Sequence, residues 1–236
     1  MTSGDITGLI LSYIYAPALL ILGEVLARVF KVPHFITRKI IHIGAGLWVW
    51  AILYFFDTWW IGIIPFATFI LLNYVFFRLR LFQGMDGEDA TLGTVYFAIS
   101  ITILFGLMWR TGGSPDYVPA AVAGVMAMTL GDAAASLIGK AWGRRTYTFF
   151  GHTRTWEGTA AMAAVTFIAI YGTLTVLPGS ALSPHSVPIS GMMALVMSGV
   201  GTLIASAAEA VSPAGTDNLS VPLLTGLALW GMLLVR

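Results

Sequence analysis

Between Gly131 and Gly158 the chain reads GDAAASLIGKAWGRRTYTFFGHTRTWEG. Asp132 stands some thirteen residues inside an apolar run, the bases Lys140, Arg144, Arg145 and Arg154 follow, and Glu157 opens the next apolar run. Ionised side chains are costly at membrane depth, so such residues normally line a polar cavity and act there. Basic groups beside acids able to hold a metal suit a phosphorylated, metal-bound substrate. The expected chemistry is phosphate handling at the nucleotide site of an integral membrane transferase.

Further groups join this set. Glu209 lies near the end of a later apolar run, and Asp217 and Asn218 follow in the next loop. With Asp132 and Glu157, Asp217 offers the oxygen ligands of Mg²⁺, which binds through a few carboxylates plus substrate phosphates. The segment ITRKIIHIGAG, from Ile36 to Gly46, places Arg38 and His42 four residues apart, hence on one helix face, with Lys39 beside them. Arg offers phosphate a bidentate fork and Lys a point charge. Gly131 would let a backbone or a phosphate approach Asp132 closely.

Each residue also has a plainer reading. Asp132 can pair with a base merely to hold helices together, Glu157 can satisfy a helix N-terminus, and Asp217 can serve a turn. Arg38, Lys39 and the bases of the 140–154 loop can be topology anchors or contacts to anionic lipid. His42 can be an interhelical hydrogen bonder. The loop acids Asp86, Glu88 and Asp89 read as solvated. Gly139-Lys140 is not a Walker A loop, because no Ser or Thr follows the lysine. No HExxH, GxSxG or protein-kinase catalytic loop is present either.

These groups need a scaffold, and composition names it. Of the 236 residues 58% are hydrophobic and 10% charged, with mean hydropathy +0.86, where a soluble domain carries about a quarter charged residues. The expectation is an all-α, polytopic helical bundle forming a single integral membrane catalytic domain over 1–236. With no cysteine, disulfides and thiolate-bound metals are excluded. The run from Ile6 has no base before it and no cleavage site, and reads as a first span rather than a signal peptide. A span takes about 20 apolar residues, giving Ile6–Phe30, Lys39–Phe56, Trp59–Phe77, Thr91–Trp109, Pro119–Lys140, Trp156–Leu177, Pro188–Val211 and Val221–Val235. The last is short, so eight spans are expected, with seven the alternative. An outside N-terminus puts ten of the twelve bases on the cytoplasmic face, leaving Arg110 and Arg236 outside, as the positive-inside rule requires. The same topology gathers the acids there too, except Asp5, Asp57 and Asp116, which implies a shared polar site at that end.

RKIIHIGAG, TLGTVYF at 91–97, the Gly131–Asp132 segment, RTWEG at 154–158 and AAEAVSPAGTDNLSVPL at 207–223 occur in the order seen in the CTP-dependent polyprenol kinase family. The resemblance runs over residues 24–223 and is strongest to its phytol kinase branch. Arg154-Thr155 departs from the Lys-Ser common in the family, keeping charge and hydroxyl but replacing a point charge with a planar fork. The resemblance implies phosphoryl transfer from a nucleoside triphosphate, CTP or UTP, to the hydroxyl of an isoprenoid alcohol drawn from the bilayer. It implies Mg²⁺ on Asp132 and Glu157 with Asp217 assisting, and phosphates on Arg38, Lys39, Lys140, Arg144, Arg145, Arg154 and Thr155. Asn218 would contact base or ribose, and Glu209 or His42 would orient or deprotonate the alcohol. Membrane lipids surround the protein, a homodimer is one open arrangement, and no nucleic-acid partner is expected. The alternatives are a cytidylyltransferase forming a CDP-lipid, which shares the Gly-Asp…Glu-Gly arrangement, and a transporter or lipid-binding membrane protein.

Overall fold

The structure, a computed structural model, describes residues 1–80, 91–112, 115–149, 152–213 and 215–235. The acids Asp86, Glu88 and Asp89 lie outside the described residues, as does Arg236. The described chain forms α1 (Ser3–Arg28), α2 (His34–Phe55), α3 (Trp59–Leu79), α4 (Gly93–Met108) and α5 (Val118–Trp142). An antiparallel hairpin of β1 (Thr146–Phe149) and β2 (His152–Thr155) follows, then α6 (Trp156–Val176), α7 (Gly191–Val211) and α8 (Asp217–Leu234).

Seven of these helices are long and apolar enough to cross a membrane, and the 16-residue α4 is a shorter apolar one. Large apolar side chains such as Ile14, Leu71, Ile168 and Leu203 are exposed on the outer faces, as a lipid-facing belt requires. The chain is an all-α polytopic membrane protein. Two expectations need correction. The last helix begins at Asp217 rather than Val221, so Asp217 and Asn218 sit in its first turn and not in a loop. The 140–154 segment is not simply a loop: α5 runs on through Trp142, and the β-rich stretches TYTF and HTRT then pair.

One helix is enclosed by the others. In α5, 72% of the apolar window is buried, against 17–33% in the other six long helices. It packs against α2, α4, α6, α7 and α8. Lipid is as apolar as leucine, so helices associate through close approach and hydrogen bonds rather than hydrophobic drive. Small residues permit that approach here: Ala120, Ala121, Ala123, Gly124 and Ala127 are all buried in α5. A Cβ on Gly124 would lie 2.7 Å from the carbonyl oxygen of Pro222 and 2.9 Å from the backbone of Gly226, both in α8.

Loops and helix ends at the end of the bundle carrying the N-terminus are tied together by carboxylates. Asp5 is fully buried; it accepts from the backbone N–H groups of Thr2 and Thr58 and from the Thr58 hydroxyl, joining α1 to the α2–α3 turn. Asp116 accepts from the N–H groups of Arg110 and Val118, each at 3.1 Å, and from Ser183 Oγ in the α6–α7 connection. Arg110 in turn stacks over Trp59 at 4.3 Å.

Gly124→Val should overpack the α5–α8 contact, because the atoms in the way are backbone. We expect a lower thermal midpoint in detergent, matching a cost of about 1–3 kcal/mol. Gly172→Ala, where a Cβ meets nothing within 4 Å, is the neutral control.

Burial pushes the Asp116 carboxyl above the usual carboxylate range, against the opposing pull of the Val118 and Arg110 N–H groups, Ser183 and the Arg110 charge. With the folded value above the unfolded one, the folded state binds more protons between the two. The resulting stability is present at low pH and is lost as pH rises through the folded value. Thermal scans of wild type and Asp116→Asn should therefore show wild type gaining on the variant as pH falls from neutral toward about 4.5.

Candidate functional site

The site is organised around an irregularity in α5. Between Ala127 and Asp132 the helix winds as a π-turn, the rare i→i+5 geometry that often marks functional positions. Such a turn leaves carbonyls without ordinary helical partners, and two of them find side chains. Thr166 Oγ1 of α6 donates to Ala127 O at 3.5 Å, and His42 Nε2 of α2 lies 3.3 Å from Met128 O. Close approach on both sides makes this possible: Cβ atoms on Gly46 and Gly131 would fall on the side chains of Thr129 and Thr166. The extra residue in the turn also rotates the C-terminal part of α5, so that Asp132 faces α2.

Asp132 is 4% exposed. Its Oδ2 accepts from Lys39 Nζ at 2.6 Å and lies 3.6 Å from His42 Nε2, while Oδ1 accepts from Ser136 Oγ at 3.4 Å. The His42 ring packs in a T-shaped contact with Phe97 of α4, with centroids 5.5 Å apart. Because a carbonyl can only accept, the contact to Met128 puts a hydrogen on Nε2 and leaves Nδ1 of neutral His42 as the proton acceptor. A second pair lies nearby: Arg154 Nε approaches Glu209 Oε1 at 2.9 Å, and its Nη2 donates to Ser212 O at 3.4 Å. The Nε contact lacks hydrogen-bond alignment, so it is an ion pair. Asp132, Glu209 and Asp217 interact electrostatically with one another and with Lys39 and Arg154. Charges from α2, α5, the hairpin, α7 and α8 thus form one cluster.

Two cavities flank this cluster. The first, of about 210 Å³, is amphipathic. Arg38, Lys39, His42, Asp132, Asp217 and Asn218 form its polar end, and Asn73, Thr91 and Thr94 also line it. Its other walls are apolar, from Leu20, Phe66, Phe69 and Phe97 to Trp48 and Tyr15. The second is a polar recess lined by Ser136, Gly139, Lys140, Arg154, Thr155, Gly158 and Glu209. Asp132 borders the first cavity and its partner Ser136 the second, one helical turn apart, so α5 forms the wall between them.

The expected site residues therefore sort into groups. Arg38, Lys39, His42, Asp132, Asp217 and Asn218 share the amphipathic cavity, and Lys140, Arg154, Thr155 and Glu209 share the recess. Lys140 also lies 3.8 Å over the Phe35 ring. Thr155 is the N-cap of α6, its hydroxyl accepting from Gly158 N. Glu157 accepts from the backbone N–H groups of Arg144 and Arg145, so its carboxylate holds the hairpin to the start of α6 and lines neither cavity. Gly131 packs on Thr166. Among the described residues no three His, Asp or Glu side chains come together as a metal cluster. Sequence reasoning missed Asn73, Ser136 and Thr91. Asn73, a polar residue inside an apolar span, carried the same signal as His42, and its Nδ2 donates to Thr94 O at 3.1 Å.

No family model matches the chain, and no solved structure matches it. A phytol kinase from Synechocystis sp. (strain ATCC 27184 / PCC 6803 / Kazusa) is 30% identical over 217 residues, covering 92% of this chain and 87% of the relative. A likeness of that degree over nearly the whole chain places it in a family: the chain belongs to the polyprenol/phytol kinase family.

Proposed function

We propose that this protein transfers the γ-phosphoryl group of CTP to the hydroxyl of an isoprenoid alcohol, at the cytoplasmic face of the membrane. The observation that carries the proposal is the adjacency of an amphipathic cavity and a basic recess across Asp132. A lipid alcohol needs an apolar wall for its tail and a polar end for its hydroxyl; a nucleoside triphosphate needs cations. The relative named a phytol kinase supports the same reading. Ten of the twelve bases lie in the segments read as cytoplasmic, which include Arg38, Lys39, Lys140 and Arg154 of the two cavities, and this bias supports the cytoplasmic reading.

In this reading Arg154 and Lys140 bind the nucleotide phosphates from the recess, with Glu209 holding the Arg154 guanidinium in place. Lys39 and Arg38 meet the transferred phosphoryl group from the cavity side, and Lys39 is oriented by Asp132. The alcohol proton passes to His42 Nδ1, the alcohol oxygen bonds to the γ-phosphorus, and the bond from that phosphorus to its bridging oxygen breaks, releasing CDP. Catalysis is chiefly positioning and charge stabilisation. The donor set fits Mg²⁺, which takes one or two carboxylates and completes its shell with phosphates and water. Asp132 and Asp217, both on the cavity, would hold it, and it would neutralise phosphate charge there.

The test is purified protein in detergent with Mg²⁺, labelled CTP or UTP, and a panel of isoprenoid alcohols and diacylglycerol. CDP with a phosphorylated alcohol is the expected result. Pyrophosphate with a CDP-lipid would replace the kinase reading with nucleotidyl transfer.

In preparations that retain the helical circular dichroism of wild type, Asp132→Asn should lower kcat by at least about 100-fold, since it removes the charge that orients Lys39. Near-normal turnover would overturn its role. His42→Gln should lower kcat by about 100-fold or more, the scale of general-base catalysis, leaving KM for CTP unchanged.

A further inference from the structure

The geometry points to Tyr15 and Trp48 as the ruler that sets the tail length of the accepted alcohol; this rests on the kinase reading above. The two rings stack at the apolar end of the amphipathic cavity, with centroids 4.1 Å apart and planes inclined by 13°. Their polar atoms are fixed in a chain of hydrogen bonds. Tyr15 OH donates to Gly44 O at 2.9 Å, Trp48 Nε1 donates to Ser12 Oγ at 3.1 Å, and the Ser12 hydroxyl donates to Gly8 O at 2.7 Å. Gly44 brings α1 and α2 close, since a Cβ there would lie 2.8 Å from Leu19 Cδ1. A stacked pair held at both polar ends forms a rigid floor rather than a yielding wall.

Its depth can be measured along α2. Nine residues separate Lys39, at the polar end, from Trp48, a distance of about 14 Å at 1.5 Å per residue. With C–C bonds of about 1.5 Å advancing roughly 1.25 Å each in a zigzag, that depth takes about eleven bonds, or roughly two to three isoprene units. A longer tail must displace the pair or turn out between helices. Ala45 lies between the reacting end and the floor and also lines the cavity.

The experiment compares kcat/KM for alcohols of two, three and four isoprene units. Trp48→Ala should deepen the groove and raise the four-unit to three-unit ratio at least tenfold, the scale of discrimination by apolar pockets. Ala45→Leu should shorten it and lower the three-unit to two-unit ratio at least tenfold. If Trp48→Ala does not fold, Ala45→Leu alone decides. Unchanged ratios in folded variants that still turn over CTP would overturn the ruler while leaving the kinase reading intact. Wild type that phosphorylates none of these alcohols would remove the kinase reading and the ruler with it.

Discussion

A carboxylate buried inside a membrane bundle must be paired, and the pairing of Asp132 with Lys39 governs how this protein is put together. An uncompensated charge at such a position costs about 3–5 kcal/mol, so α2 cannot be placed independently of α5. The ion pair brings the two helices together, Gly46 lets their backbones close on Thr129, and the π-turn rotates Asp132 into reach. His42 then caps a carbonyl that the turn left without its ordinary partner. The functional charges and the packing of the central helix are one arrangement, which is why the acid sits on the most enclosed helix and not on a peripheral one.

Acids at the two ends of the bundle do different work. Asp5 and Asp116 spend their oxygens on backbone N–H groups and hydroxyls, closing helix ends and turns. Glu157 does the same for the hairpin at the other end. Asp132, Glu209 and Asp217 instead interact with one another and with Lys39 and Arg154. Like charges held near one another are unfavourable unless cations join them, and it is this unresolved charge, rather than acidity as such, that separates the candidate site from the structural carboxylates.

Much of this was legible in the sequence. Long apolar runs announce spanning helices, and a lone acid, lysine or histidine within one stands out by its cost. The members of the cluster on α2 and α5 could therefore be named before their contacts were known. The π-turn could not, because one extra residue in a turn leaves no mark on an apolar pattern. Asp217 was misplaced because the apolar run begins only at Val221, whereas α8 begins four residues earlier, with a polar first turn, and carries Pro222 inside it. The hairpin was passed over because its bases drew attention from the β-branched and aromatic residues between them. The partnership of Tyr15 with Trp48 depends on the register of α1 against α2, which amphipathic periodicity cannot supply when lipid and protein neighbours are equally apolar.

The order of the charges along the chain carries a consequence for biogenesis. Lys39 precedes Asp132, and Arg154 precedes Glu209. A chain inserted from its N-terminus thus has each of these two cations in place before its anion arrives, and both acids enter where a counter-charge already waits. The costlier deep acid is the one whose partner was laid down longest before, three spans earlier on α2. The enclosed central helix thus meets its Lys39 partner without waiting for a later segment, and α7 and α8 then bring Glu209 and Asp217 to cations already in place.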